Sequence, residues 1–394
     1  MDVPNGHVLQ VCQSLYGLKQ AARDWYDLCS SALREMGFEP LVSEPCVFRN
    51  KKTGVLVGLY VDDMVIAART VQEVQRFKTE FGKRFKIKDL GELSRVLGIQ
   101  IKRDRTARTM YLDQSAHIEK LLREFGMATK GKGSASVPLN TQVDLWKMAG
   151  ENELTSKGRQ IYQRQIGSVM YLMVYTRPDI AFATSRLAQF MTCPTKRHSG
   201  AMKTLLKYLR TTQDLKIKYS PHGQSATRCI GFTDSDFAGD KSDRKSTSGM
   251  VFMLGGGPVA WRSRKQTAVA TSTTEAEYVA AAMAAKHAKW ISQFLKDLGY
   301  SRYVDGADGT APIRLSLDNK GALDLVKQPQ INDRSKHIDV AFHFIKDLWV
   351  RKVIDCVYIP TREMVADALT KPLPKARLTE LRVKMGLSAR GSDI

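Results

Sequence analysis

Apolar and polar positions alternate through the second half of this 394-residue chain in a way that predicts both strands and helices. The segments that predict strands are, in order, residues 228–234, 248–254, 259–262, 313–317 and 355–359. Glycines at 255–257 separate the second strand from the third and predict a hairpin. Residues 272–298 carry apolar side chains on one helical face, with Ser272 and Glu275 at capping-box spacing, and Asn319 can cap a short helix. The order is three strands, helix, strand, helix, strand, helix, which favours a mixed five-stranded sheet with flanking helices.

Four acidic residues occupy similar places relative to these elements. Asp234 ends the first strand, Glu277 lies in the first turns of the long helix, Asp318 follows the fourth strand and Asp367 follows the last. If folding gathers them, they can hold divalent cations, which prefer carboxylate oxygens, beside a nucleic-acid phosphate. For any single residue the ordinary alternative is strong, because an Asp at a strand end is most often a turn residue or a helix cap.

Two neighbouring acids compete for these assignments. Asp236 shares a strand face with Asp234, and Glu275 lies two residues before Glu277. Glu275 is better explained as part of the helix cap. We therefore predict Asp234 and Glu277 as the ligands.

The first half has a separate signal. Residues 55–68 are apolar except at Tyr60-Val61-Asp62-Asp63, which predicts a hairpin with two adjacent carboxylates at its tip. Two charges between buried strands are unfavourable unless a cation binds them. An Asp-Asp pair alone usually marks an ordinary turn.

The middle of the chain predicts helices. Residues 129–153 are rich in Lys, Gly, Ser and Asn and predict an exposed linker, whereas 161–175 and 179–191 predict two helices broken at Arg177-Pro178. The polar residues 220–227 are the predicted domain boundary.

A third helix, over residues 201–211, has an apolar face opposite Lys203, Lys207 and Arg210. Such a basic face is either simply solvated or contacts the phosphates of a duplex. Its position between two sets of motifs favours the phosphate contact.

Charge narrows the class of partner. The chain has 61 basic and 40 acidic residues, a net charge of +21. Residues 1–225 hold 35 basic and 21 acidic residues (+14) and the remainder 26 and 19 (+7). This excess favours a polyanion bound in a salt-sensitive manner. The sequence shows no apolar stretch of membrane-spanning length and no CxxC pair, so we expect no membrane partner and no zinc site.

The second half resembles the ribonuclease H family in the form found in copia-type LTR retrotransposon polyproteins. The matching motifs are Gly-Phe-Thr-Asp-Ser-Asp at 231–236, Ser-Thr-Thr-Glu-Ala-Glu-Tyr at 272–278, Leu-Asp-Asn-Lys at 317–320 and Val-Ala-Asp-Ala-Leu-Thr-Lys at 365–371. The resemblance implies that Asp234, Glu277, Asp318 and Asp367 hold two Mg²⁺ (or Mn²⁺) ions, and it groups Asn319 with the nucleic-acid contacts. The substrate it implies is the RNA strand of an RNA:DNA hybrid. Cellular members have a histidine in the loop before the last Asp, where this chain has Thr-Arg-Glu at 361–363.

The first half resembles copia-type reverse transcriptase. The motifs are Ser-Leu-Tyr-Gly-Leu-Lys-Gln at 14–20 continuing to Trp25-Tyr26, Tyr-Val-Asp-Asp at 60–63, Lys-Asp-Leu-Gly-Glu-Leu at 88–93 and Leu-Gly-Ile at 97–99. The resemblance implies that Asp62 and Asp63 belong to the polymerase metal site and that Gln20 borders the incoming nucleotide, and it groups Tyr60 with the nucleotide or nucleic-acid contacts.

The third polymerase Asp of that family lies upstream of the Ser-Leu-Tyr-Gly motif, after a fingers subdomain, and thirteen residues precede Ser14 here. Asp2 is the sole acid among them, so we expect a truncated polyprotein fragment. With two of three carboxylates, a two-metal site should bind its second ion poorly. We therefore predict that the purified chain does not extend a primer. Robust incorporation in a primer-extension assay would contradict this.

The expected fold class is α/β (α+β). Residues 1–128 would form a partial reverse-transcriptase palm and the start of the thumb, 129–225 a linker and helical thumb or connection, and 226–394 a ribonuclease H-like domain. Expected partners are RNA:DNA hybrid, other nucleic acid, and the rest of the polyprotein or a second copy. The expected location is cytoplasmic, in a virus-like particle, or nuclear.

Two other functions remain open from the sequence. A catalytically dead remnant would bind nucleic acid without cleaving it. An integrase-type transferase uses three carboxylates with Glu last, and the early Glu277 and final Asp367 argue against it.

Overall fold

The computed structural model describes residues 14–15, 17–128, 133–143, 145–146, 153–222, 225, 227–301, 312–328 and 339–389, without the side chains of 339–342. The strands are β1 (Glu39–Pro40), β2 (Val47–Arg49), β3 (Leu56–Tyr60), β4 (Asp63–Ala67), β5 (Arg95–Val96), β6 (Ile99–Asp104), β7 (Thr109–Asp113), β8 (Lys216–Tyr219), β9 (Ile230–Asp236), β10 (Thr247–Leu254), β11 (Gly257–Lys265), β12 (Ile313–Leu317), β13 (Ile354–Tyr358) and β14 (Leu387–Ser388). The helices are α1 (Ala21–Glu35), α2 (Val71–Gly82), α3 (Ser115–Glu124), α4 (Ser156–Tyr175), α5 (Ala181–Ala188), α6 (Lys196–Thr211), α7 (Thr273–Asp297), α8 (Lys320–Lys327), α9 (Asp339–Val350) and α10 (Lys375–Lys384).

The described residues form two compact units. One comprises the residues up to Leu93 together with Gln293–Tyr300, and the other comprises Ser94–Ser292 and the residues from Ser301 onward. The first contains an antiparallel sheet of order β1-β2-β3-β4 with α1 and α2. Its core is aromatic and aliphatic, with Phe48 and Leu33 fully buried. The predicted hairpin over 55–68 is confirmed as β3 and β4.

The second unit contains the predicted five-stranded mixed sheet. Its order is β11-β10-β9-β12-β13, in which β12 runs parallel to both β9 and β13 and the other pairs are antiparallel. The five predicted strands, the long helix before β12 and the short helix after Asn319 are confirmed, and a further helix, α9, lies between that short helix and β13. A second, antiparallel sheet of this unit has the order β14-β8-β7-β6-β5, so the late strand β14 pairs with a strand from the middle of the chain.

The helices of the middle pack on the mixed sheet through one continuous apolar core. Ile166 of α4 and Leu205 of α6 are buried in the same cluster as Val251 of β10 and Leu381 of α10. Polar contacts cross the same boundary, since the Trp261 indole donates to the carbonyl of Met173 at 2.7 Å.

The predicted exposed linker or loop over 129–153 is confirmed in part, since residues 133–143 form no helix or strand and most of them are exposed. Leu139 and Leu145 are almost fully buried in that same core. Residues 129–132, 144 and 147–152 lie outside the described part of the chain. These two apolar residues pack the otherwise polar segment against the middle helices.

The predicted break at Arg177-Pro178 is confirmed, because a short 3-10 turn, Pro178–Ile180, separates α4 from α5. The turn encloses a charged pair. Arg177 donates to both Asp179 oxygens, at 2.8 and 2.7 Å, and both side chains are about 1% exposed or less. Tyr208 donates to Asp179 at 2.7 Å, and Arg177 donates to the Thr212 hydroxyl at 2.7 Å.

Among the described residues, the structure contains no helix with the length and apolar character that crossing a bilayer requires.

Candidate metal centre

Three carboxylates from three different elements converge in the second unit. One oxygen each of Asp234, Glu277 and Asp318 lies within 4.8 Å of the others. The strand register explains why Asp234 and Asp318 meet. Phe232 of β9 pairs with Ser316 of the parallel strand β12, and Asp234 and Asp318 each lie two residues after these paired residues. Both side chains therefore emerge at the same edge of the sheet, on the same face.

Glu277 reaches this edge from the helix that packs on the sheet. The helix α7 has short buried side chains, including Ala276, Ala280 and Ala284, which permit close packing. Glu277 Oε1 accepts a 3.2 Å hydrogen bond from the backbone N–H of Ser235. Its other oxygen, Oε2, is buried and has no hydrogen-bond partner. An acceptor left in this state is unfavourable unless a cation or a proton satisfies it.

The electrostatics of the centre agree with that geometry. Burial raises the pKa of Glu277 to about 9, and the charges of Asp234 and Asp318 add to the rise. Burial also raises the pKa of Asp234 to about 7, against the opposing effects of the Lys371 charge and the Thr370 hydroxyl. The centre thus accumulates negative charge that it stabilises poorly by itself, as a cation site does.

The fourth predicted acid, Asp367, lies beside this group but is held by basic side chains. It belongs to a 3-10 turn, Val365–Leu369, and is 4% exposed. Its Oδ1 lies 2.6 Å from Lys371 Nζ and its Oδ2 accepts from Arg377 at 3.1 Å. Thr370, on the same segment, donates its hydroxyl hydrogen to Asp234. The structure therefore links Asp367 to Asp234 through Lys371 and Thr370.

Gly249 allows this segment to lie so close. It pairs with Asp234 across β9 and β10, and a Cβ there would lie 2.7 Å from Thr370 Cγ2 and 3.1 Å from the carbonyl oxygen of Ala366.

We therefore expect Gly249→Ala to push the Asp367 segment off the sheet and to destabilise the protein by about 1–3 kcal/mol, as overpacking does. Urea unfolding would measure the change. The matched control is Gly58→Ala in β3, where a Cβ meets nothing within 4 Å, and its effect should stay within about 0.5 kcal/mol. Equal stability of Gly249→Ala and the parent would show that the segment is not held at this distance.

The competing acids lie elsewhere. Glu275 is partly buried, its side chain accepts from the backbone N–H of Thr271 at 2.7 Å and its own N–H donates to Ser272 Oγ at 3.1 Å, so its capping role is confirmed. Asp236 ends β9, outside the group of three. Asn319 caps α8 by accepting from the N–H of Ala322 at 2.9 Å, as its position predicted.

The polymerase-type residues lie in the first unit. Asp62 and Asp63 are exposed at the β3–β4 turn, where Val61 has a φ of 52° and its carbonyl accepts from the Trp25 indole at 2.7 Å. The expectation that these two carboxylates lie between buried strands is wrong, because the turn extends them into solvent. Within the described residues, no third acid joins them to form a cluster.

The remaining predicted nucleotide and nucleic-acid contacts occupy exposed or partly exposed positions. Gln20 directly precedes α1, and Tyr60, beside the Asp pair, is 56% exposed. On α6, Lys203 is exposed and Lys207 partly buried, whereas Arg210 donates to the carbonyls of Met127, at 3.0 Å, and Gly133. Arg210 therefore fastens a neighbouring segment of its own chain. The roles of Gln20, Tyr60, Lys203, Lys207 and Arg210 toward a ligand stay predictions.

Sequence reasoning did not identify Lys371, Thr370 or Arg377 as members of the centre. Lys371 and Thr370 stand in the quoted motif at 365–371, and Lys371 lies four residues after Asp367, a spacing that brings side chains together on a helical turn. That spacing could have identified Lys371 from the sequence. No sequence pattern indicated Arg377, because its approach to Asp367 depends on the packing of α10.

The donor set fits a hard divalent cation. All three converging groups are carboxylates, and the buried Glu277 oxygen lacks a partner. The sheet order, the helix that crosses it and the acidic edge together define a ribonuclease H-like fold, and the reverse-transcriptase-like motifs lie in the earlier part of the same chain.

Residues 1–140 match the family model described as reverse transcriptase (RNA-dependent DNA polymerase). The chain is 36% identical over 388 residues to the retrovirus-related Pol polyprotein from transposon TNT 1-94 of Nicotiana tabacum, covering 96% of this chain and 28% of that protein. It is 34% identical over 389 residues to the Pol polyprotein from transposon RE1 of Arabidopsis thaliana, covering 98% and 25%. It also aligns with the structure of LC11-RNase H1 in complex with RNA/DNA hybrid at 17% identity and a TM-score of 0.27, over 36% of this chain and 94% of that one.

The chain belongs to the family of copia-type retrotransposon Pol polyproteins. It spans about a quarter of the length of these curated relatives.

Proposed function

We propose that the second unit hydrolyses the RNA strand of RNA:DNA hybrids, with Asp234, Glu277, Asp318 and Asp367 holding two Mg²⁺ or Mn²⁺ ions. The observation that carries the proposal is the convergence of the first three carboxylates, together with the partnerless Oε2 of Glu277. Three carboxylates that repel one another have no evident structural benefit at one place, so their convergence favours a functional site.

Each residue has a defined part in the proposed reaction. Bound divalent ions would activate a water and stabilise the charge that develops on the attacking and leaving oxygens. Asp234 lies between the other acids, since it belongs to the group of three and also faces Asp367 through Lys371. Ser235 orients Glu277 through its backbone N–H, which donates to Oε1 and leaves the buried Oε2 without a hydrogen-bond partner.

The departing group must take its proton from water. The turn before Asp367, Thr361–Glu363, has the sequence Thr-Arg-Glu, and all three residues are exposed. A solvated turn of this kind gives bulk water direct access, so a side-chain proton shuttle is not required there.

Nucleic acid is the partner that the charge favours. With a net charge of +21, binding should weaken steeply with salt as phosphate counterions are released. Discrimination of the RNA strand would depend on contacts to its 2′-hydroxyl groups.

The test is a comparison of three labelled 20-mer duplexes with the purified chain in Mg²⁺: an RNA:DNA hybrid, a DNA duplex and an RNA duplex. We expect cleavage of the RNA strand of the hybrid, none of either homoduplex, and loss of cleavage in chelator. Salt-sensitive binding of the hybrid with no cleavage in Mg²⁺ or Mn²⁺ would instead support the binding-only remnant. The pairing of Asp367 with both Lys371 and Arg377 is the observation that favours that second candidate.

A further inference from the structure

Lys371 places a positive charge inside the acidic centre. Its Nζ lies 2.6 Å from Asp367 Oδ1 and 3.9 Å from Asp234 Oδ2. The charge of Asp236 acts on it as well. Lys371 thus bridges Asp367, which lies outside the group of three, and Asp234, which belongs to it.

That position is the one a second divalent ion would need. Asp234, Glu277 and Asp318 form a group that can take one ion without involving Asp367. A further ion must draw on Asp367, whose Oδ1 faces Lys371 and whose Oδ2 accepts from Arg377 at 3.1 Å. A divalent ion bonded to Oδ1 at about 2.1 Å would lie only about 4 Å from an ammonium on the same oxygen, and the two positive charges would repel each other.

Lys371 is able to move away. Its side chain is 36% exposed, and a lysine is a compact charge on a flexible four-carbon stem. Arg377, by contrast, also donates to the carbonyls of Arg362 and Thr361, at 2.8 and 3.0 Å, which fixes it to the neighbouring turn. Of the two cations on Asp367, Lys371 is the exchangeable one.

We propose that Lys371 is a resident cation that fills the second cation position of the centre, between Asp234 and Asp367. The inference rests on the proposed function. The chain then takes a first divalent ion at Asp234, Glu277 and Asp318 with Lys371 in place, and takes a second only after the lysine side chain swings into solvent. The two ions consequently bind with unequal affinity, and the lysine sets the difference.

The test counts Mn²⁺ bound to the full chain, from the electron paramagnetic resonance signal of the free ion, at pH 7.5 and without nucleic acid. The parent should show one tight site and one weak site. Lys371→Met should tighten the second site by about tenfold or more, because a unit charge about 4 Å away is removed. Lys371→Arg keeps the charge and should resemble the parent. Lys375→Met removes an exposed lysine four residues further on and should also resemble the parent.

Each outcome decides the matter. Two equally tight sites in the parent, or an unchanged second site in Lys371→Met, would overturn the inference while leaving the proposed function intact. Equal tightening by Lys375→Met would reduce the effect to net charge and would also overturn it. Absence of Mn²⁺ from every variant would remove the metal centre, and the proposed function with it. Circular dichroism checks folding, and Lys371→Gln replaces Lys371→Met if the latter does not fold.

Discussion

Replacing Glu277 by Gln should lower cleavage of the RNA:DNA hybrid at least about 100-fold, an increase of about 2.7 kcal/mol in the barrier. Gln keeps the acceptor for the Ser235 N–H but loses the charge that the proposed cation requires. Single-turnover cleavage in Mg²⁺ measures the effect. Glu275→Gln is the matched control, since Glu275 lies on the same helix but caps its start and is outside the group of three carboxylates, and its activity should stay near that of the parent.

The same substitution should stabilise the protein when metal is absent. Burial raises the pKa of Glu277 to about 9 from an ordinary value of 4.5, so its contribution to stability is full below the unfolded pKa and is lost as pH rises through the folded pKa. Gln at this position has no carboxyl group to ionise, so Glu277→Gln does not lose stability as pH rises. In chelator, its melting temperature relative to the parent should therefore increase between pH 5 and pH 9, by roughly 2–4 °C for each kcal/mol gained. A difference independent of pH would mean that Glu277 is not held in its raised-pKa state.

Replacing Asp179 by Asn should destabilise the second unit by about 3–5 kcal/mol, because it leaves the Arg177 charge buried without its counter-charge. Arg177 is about 1% exposed, and its remaining partners, the Thr212 hydroxyl and carbonyl, are neutral. Urea unfolding followed by circular dichroism would measure the loss.

The control for Asp179 is an exposed pair in the same unit. Arg351 and Asp347 form an ion pair at 3.3 Å with side chains 62% and 53% exposed, so Asp347→Asn should change stability by less than about 1 kcal/mol. The double variant Arg177→Met, Asp179→Leu removes both charges and should recover much of the loss. If Asp179→Asn and Asp347→Asn had equal effects, the buried pair would not be a stabilising element.

Much of the second half could be predicted because its signals are local. The apolar alternation of β9 and β12, the capping position of Asn319 and the choice of Glu277 over Glu275 all follow from residues within a few positions of one another. The meeting of Asp234 with Asp318 needed one more step, the parallel pairing of their strands.

The features that escaped prediction depend on contacts between distant segments. Leu139 and Leu145 lie in a polar stretch and are buried because helices far along the chain cover them. The sequence marks Arg177 only as the residue before a helix-breaking proline, yet Tyr208 of α6 and Thr212, which follows that helix, surround its pair with Asp179. Conversely, the apolar flanks of Asp62 and Asp63 indicated burial, but a two-residue turn is enough to lift both into water.

The pairing of β14 with β8 has a bearing on how such elements can evolve. Leu387 lies opposite Ile217, so the late strand β14 joins a sheet whose other strands lie between residues 95 and 219, and both regions share one apolar interior. A genetic exchange with its crossover near residue 226 would join surfaces that had not been selected together. Recombination between related elements should therefore transmit the segment from β5 to β14 as one inherited block.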